Sequence, residues 1–139
     1  MYLYRVKVDK VVDGDTIDCT IDLGFSIYHK VRVRLYGIDT PESRTRDPDE
    51  KIRGKLAANF IKNKIKNSTK HAIATKLDAK GKFGRVLGVL LCDELNVNEQ
   101  LIKDRLAVEY HGQSKADIEA EHLANRQYLI DNEVYTPLK

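Results

Sequence analysis

No stretch of this chain approaches the ~20 consecutive apolar residues needed to cross a bilayer as a helix. Its first residues alternate polar and apolar types at once, without the apolar core of a signal peptide. The expectation is a cytoplasmic chain with no membrane attachment. Cysteine is scarce as well. Cys19 and Cys92 are the only two, they lack C-x-x-C spacing, and both lie in apolar runs. Buried free thiols are therefore expected ahead of a disulfide or a metal pair. There is no internal repeat, low-complexity tract, linker or heptad seam. What remains, 139 residues of which 42% are hydrophobic, suits one core, read as a single domain over 1–139 and as a monomer. A formal charge of +3 agrees with a polyanionic partner without singling one out.

Residues 2–12 and 16–23 are rich in β-branched and aromatic types and meet at Asp13-Gly14-Asp15, which predicts a hairpin. A third run, 26–36, alternates Val31, Val33 and Leu35 with Arg32, Arg34 and Tyr36, the period of a strand with one buried face. Residues 37–51 have loop composition. Ile52, Leu56, Ala57, Phe60, Ile61 and Ile65 then recur at helical spacing, with Arg53, Lys55, Asn59 and Lys62 expected outward. Two further strands are expected over 71–77 and 86–92, joined by a glycine-containing loop. Asn96 and Glu99 resemble a capping box, and Ala116, Ala120, Leu123, Ala124 and Ile130 mark a last helix. Val134-Tyr135-Thr136-Pro137 reads as a tail packing back. Five strands and three helices predict an α+β fold, for which a five-stranded oligonucleotide-binding barrel is one solution. Tyr2, Tyr4, Tyr28 and Tyr36 are expected to serve barrel packing ahead of base stacking.

Asp15 begins the row Asp15, Ile17, Cys19, Ile21, so its carboxylate should point inward at the rim of the sheet. A carboxylate there needs a partner, and a divalent cation is one that also does chemistry. Taken alone, Asp-Gly-Asp-Thr is first of all a hairpin turn, and Asp39-Thr40-Pro41-Glu42 first of all a turn or helix start. The set carries more than its members. Arg34, Arg85 and the carboxylates of Asp15, Asp39 and Glu42 combine hard oxygen ligands with guanidinium forks that match a phosphate. Phosphodiester hydrolysis uses a Lewis acid, a carboxylate that prepares water, and cations that stabilise developing charge.

With Val12-Asp13-Gly14-Asp15-Thr16, Arg34-Leu35-Tyr36-Gly37-Ile38-Asp39-Thr40-Pro41-Glu42 and Lys82-Phe83-Gly84-Arg85 in this order, the chain resembles the staphylococcal nuclease family, the thermonucleases. Leu95-Asn96-Val97-Asn98 and Leu106-Ala107 extend the likeness over nearly the whole length. The resemblance implies an oligonucleotide-binding (OB-fold) barrel with three helices, and an endonuclease acting on DNA or RNA with little sequence preference. It implies Ca²⁺, or another divalent cation, held by the carboxylates of Asp15 and Asp39 and the carbonyl of Thr40. Glu42 would act on the water, and Arg34 and Arg85 would contact the scissile phosphate. Lys82 and Tyr110 would touch substrate, and Asp13 would stand behind the ligands.

Some features depart from the pattern. Leu23-Gly24-Phe25-Ser26 lengthens the segment between Thr16 and Arg34, so that the hairpin is expected to reach further over the site. Phe83 stands where relatives carry tyrosine, and Tyr110-His111 where they present two pocket tyrosines; His111 is given no role. The rival reading from another class is a catalytically inactive OB-fold module that only binds nucleic acid.

Overall fold

A computed structural model describes residues 2–76 and 86–137; Lys82, Phe83 and Arg85, and with them the expected loop between the fourth and fifth strands, lie outside the described residues. The described elements are β1 (Leu3–Asp13), β2 (Thr16–Asp22), β3 (Tyr28–Leu35), β4 (Ile38–Asp39), α1 (Pro48–Lys66), β5 (His71–Lys76), β6 (Val86–Cys92), β7 (Leu95–Asn96), α2 (Val97–Lys103), β8 (Val108–Glu109) and α3 (Lys115–Asp131).

The five long strands form a ring in the order β3-β2-β1-β5-β6, which a parallel pairing of β3 with β6 closes back on itself. This is the expected α+β barrel with three helices. Alternation drives it: on β2, Ile17, Cys19 and Ile21 are buried, and on β3, Val33 and Leu35. These meet Ile61, Ile73, Leu90, Val97 and Leu101 in one core. Both cysteines are buried as free thiols, and burial pushes the Cys19 thiol up to about 11. The ring seam is pinned by Asn98. Its Nδ2 donates to the carbonyls of Tyr36 at 2.9 Å and Gly88 at 3.2 Å, while its Oδ1 accepts from the Leu90 amide at 3.2 Å.

Each helix has a side-chain cap. Asp47 accepts from Asp49 and Glu50, with Pro48 opening α1; Asn96 accepts from Glu99; Ser114 accepts from Asp117. Such a cap contributes about 1 kcal/mol. No helix of the described residues is long and apolar enough to cross a membrane.

Four expectations are corrected. The stretch 37–51 is not all loop, because Ile38–Asp39 pairs antiparallel with Val108–Glu109; a two-residue strand has no periodicity to read. Arg53 is buried rather than outward, since α1 packs through Arg53, Gly54, Ala57, Ala58 and Ile61, where small side chains allow close approach. Tyr2, Tyr28 and Tyr36 are exposed, and of the four tyrosines only Tyr4 packs against the core. Finally, β2 and β3 pair from Thr16↔Arg34 to Asp22↔Tyr28, so the Leu23–Ser26 tip lies at the end opposite Arg34. At about 3.3 Å per residue it is roughly 20 Å away, and it does not reach over the site.

Candidate active site

Three backbone segments meet at one end of the barrel. The first is the turn between β1 and β2. Asp13 Oδ1 accepts from the Gly14 amide at 3.0 Å, a local bond by which a short acidic side chain closes a turn. Gly14 is required by space, because a Cβ there would stand 2.6 Å from Ala57 Cβ and 2.8 Å from Thr40 Oγ1. The turn is thus pressed between α1 and the acidic loop. It carries Asp15 to the rim, with 15% of its side chain exposed.

The second segment is the end of β3. Because Arg34 pairs in register with Thr16, its guanidinium lies beside Asp15. Nη1 is 3.2 Å from Asp15 Oδ2, and Nη2 is 3.7 Å from Asp39 Oδ1. The Leu35 amide donates to the Asp15 carbonyl at 2.8 Å, and Thr16 Oγ1 donates to Asp15 Oδ1 at 3.0 Å. β4 is the third segment. Its pairing with β8 brings Asp39 to the same rim, and the Thr40 amide donates to Asp15 Oδ2 at 3.4 Å. Arg34 therefore bridges two carboxylates drawn from different strand ends.

Glu42 follows one residue beyond Pro41. Its amide donates to Glu50 Oε1 at 3.3 Å. The residue is exposed, yet partial burial of its carboxylate, followed by the negative charges of Asp13, Asp15, Asp39 and Glu50, raises its pKa above the usual Glu range. The Asp15 pKa is also raised, by burial first, against the lowering pull of Arg34 and of the bond from Thr16. Acidic groups gathered closely enough to raise the Glu42 pKa create a field that favours a cation.

The donor set suits a hard divalent ion. Asp15 and Asp39 offer carboxylates and Thr40 a carbonyl, all of them oxygen ligands. Thr40 is buried, and its Oγ1 has no hydrogen-bond partner among the described residues. Among those residues no three His, Cys, Asp or Glu side chains close around a single point. An ion here would complete its shell with backbone oxygen and water.

Tyr110 is 40% exposed just past β8, and its amide donates to the Gly37 carbonyl at 2.8 Å, which ties it to the turn before Asp39. Lys82 and Arg85 lie outside the described residues. Sequence reasoning passes over two features. His122 of α3 lies with Nε2 2.8 Å from Asp39 Oδ2. Asp49, in the first turn of α1, gathers Arg126 Nε at 2.7 Å, Arg53 Nε at 3.4 Å and the Tyr135 hydroxyl at 3.4 Å, so the tail does pack back. Only the i, i+4 spacing of His122 and Arg126 hints that one face of α3 serves both.

A family model described as "Staphylococcal nuclease homologue" matches residues 32–129. "Thermonuclease" of Staphylococcus intermedius is 35% identical over 104 residues, 75% of this chain and 57% of that protein. "Endonuclease YhcR" of Bacillus subtilis (strain 168) is 33% identical over 113 residues, 77% of this chain but 9% of that protein. "Endonuclease YncB" of the same strain is 31% identical over 107 residues, 76% of this chain and 47% of that protein. The chain thus spans less than two thirds of each of these relatives.

Proposed function

We propose, on the premise that this chain belongs to the family of staphylococcal nuclease homologues, that it hydrolyses phosphodiester bonds in DNA or RNA with a bound divalent cation. Calcium suits the all-oxygen donors best. The observation that carries this reading is the bridge of Arg34 between Asp15 and Asp39, with the Glu42 carboxyl raised by burial first and by these neighbouring acidic charges second.

Asp15, Asp39 and the Thr40 carbonyl would hold the ion. Bound there, it supplies Lewis-acid polarisation of a non-bridging phosphate oxygen. Glu42, on the loop beside it, accepts a proton from water or orients that water; general-base action contributes ~10²–10⁴-fold. Arg34 offers a planar fork to the phosphate once the carboxylates have a metal partner, and Arg85 is the second guanidinium in this reading. Lys82 and Tyr110 would contact the flanking nucleotide, and Asp13 supports Asp15 through the turn. Residues 1–139 act as one domain, without a second copy.

Digestion of single- and double-stranded DNA and RNA with Ca²⁺, Mg²⁺ or Mn²⁺ tests this reading. Cleavage should be lost with chelator, and should fall by two or more orders of magnitude in Glu42→Gln and Arg85→Ala. Undiminished cleavage in either variant removes the mechanism. Salt-sensitive binding without turnover under any ion identifies a binding module instead.

A further inference from the structure

The acidic loop is gripped from outside the barrel by one face of α3. His122 and Arg126 are four positions apart and so project from the same side of the helix. His122 meets Asp39, just before the loop, at 2.8 Å; Arg126 meets Asp49, just after it, at 2.7 Å. Between them Asn125 is buried and donates to the Ala107 carbonyl at 3.2 Å, next to the strand that pairs with Asp39. The His122 side chain is 13% exposed, so its bond to Asp39 is sheltered from solvent.

The two oxygens of Asp39 consequently have different surroundings. Oδ2 is taken by His122, while Oδ1 faces Arg34, which itself touches Asp15. An ionised carboxylate can only accept, so the His122 nitrogen in this contact is the donor. A bond to one oxygen fixes the rotation of the carboxyl group and leaves the other oxygen turned toward Arg34. Carboxylates that ligate a metal are commonly held in this way by a hydrogen-bonding neighbour, and loss of that neighbour lowers metal affinity by roughly 10- to 100-fold.

We infer that His122 is a positioning residue for divalent-cation binding, holding Asp39 through Oδ2 so that Oδ1 alone is presented to the ion. This inference rests on the metal-dependent reading above. It is not contained in it, since His122 would touch neither ion nor substrate.

Calcium titration of the full chain by calorimetry tests it, alongside metal-free thermal unfolding. His122→Ala should weaken Ca²⁺ binding roughly 10- to 100-fold. His122→Leu, which fills the space but cannot donate, should do the same, so that a folding failure of the alanine variant leaves the test intact. His122→Gln restores a donor and should recover most of the affinity. Arg126→Ala loosens α3 without touching Asp39, and its Ca²⁺ affinity should stay near the parent's. Unchanged affinity in the leucine variant overturns the inference, as does a glutamine variant no better than leucine, or an Arg126→Ala loss equal to that of leucine. A parent chain that binds no divalent cation overturns the metal-dependent reading together with it.

Discussion

Gly54 lies so close to Glu42 that a Cβ on it would stand 2.6 Å from the Glu42 carbonyl carbon and 2.7 Å from the carbonyl oxygens of Pro41 and Glu42. One residue of α1 thereby sets where the acidic loop runs. Those contacts are with backbone, which cannot swing aside as a side chain can.

Gly54→Ala pits two effects against each other. Alanine favours the helix by about 1 kcal/mol, while overpacking costs about 1–3 kcal/mol. The net expectation is a small loss of stability, with the strain relieved by displacement of the Glu42 backbone. A shift of about 1 Å in a positioned group costs on the order of 10²-fold in rate. Parallel denaturant melts and nuclease assays check it: activity should fall far more than stability.

Asn98 makes three hydrogen bonds across the ring seam. Asn98→Ala leaves the Leu90 amide without its buried acceptor and the Tyr36 carbonyl without the Asn98 donor, each such loss costing about 1–3 kcal/mol, while the Gly88 carbonyl keeps the Tyr36 amide at 2.8 Å. A destabilisation of about 3 kcal/mol is expected in urea unfolding, with amide exchange quickened along β6 and at Tyr36. A change indistinguishable from zero would mean that other groups satisfy the seam.

Asp93 accepts from the Lys70 amide at 2.7 Å and the Thr69 amide at 3.1 Å, and these bonds hold its carboxyl below the usual Asp range. The folded-state pKa is depressed, so this stabilisation is full above the unfolded value of about 3.9 and is lost as pH falls through the lower folded one. Stability measured over that acid window should fall less steeply in Asp93→Asn than in the parent. Equal slopes would refute the assignment.

Phe25 is 99% exposed at the far tip of the β2–β3 hairpin. Phe25→Ser should alter stability by no more than about 0.5 kcal/mol, and nuclease activity on short oligonucleotides should match the parent. A loss of turnover would require the tip to reach substrate bound at Arg34.

The five long strands are legible because each buries one face, and alternating types such as Ile17, Cys19 and Ile21 record that directly. The carboxylates and Arg34 are legible as a group because turn chemistry and strand ends confine them to short motifs. Arg53 is misread because periodicity counts large apolar residues, whereas α1 docks through Gly54, Ala57 and Ala58, with Asp49 receiving the buried guanidinium. His122 is marked only by its four-residue spacing from Arg126, and its partner, 83 positions away, leaves no trace in local pattern. The hairpin tip is misread for a different reason. Antiparallel pairing alone sends residues 23–26 away from Arg34 once Thr16 sits opposite it, so length added at the tip moves outward and leaves the site untouched.

The parallel seam between β3 and β6 joins Arg34 to Leu87, two residues that no hairpin connects. The hairpins on either side, β1–β2–β3 and β5–β6, need only neighbouring chain, whereas the seam has to wait for α1 and β5 to bring its halves together. The hairpin alone sets Arg34 beside Asp15, whereas Asp39 reaches the same guanidinium only when Ile38–Asp39 pairs with Val108–Glu109 late in the chain. Recovery of function during refolding should therefore trail recovery of strand content.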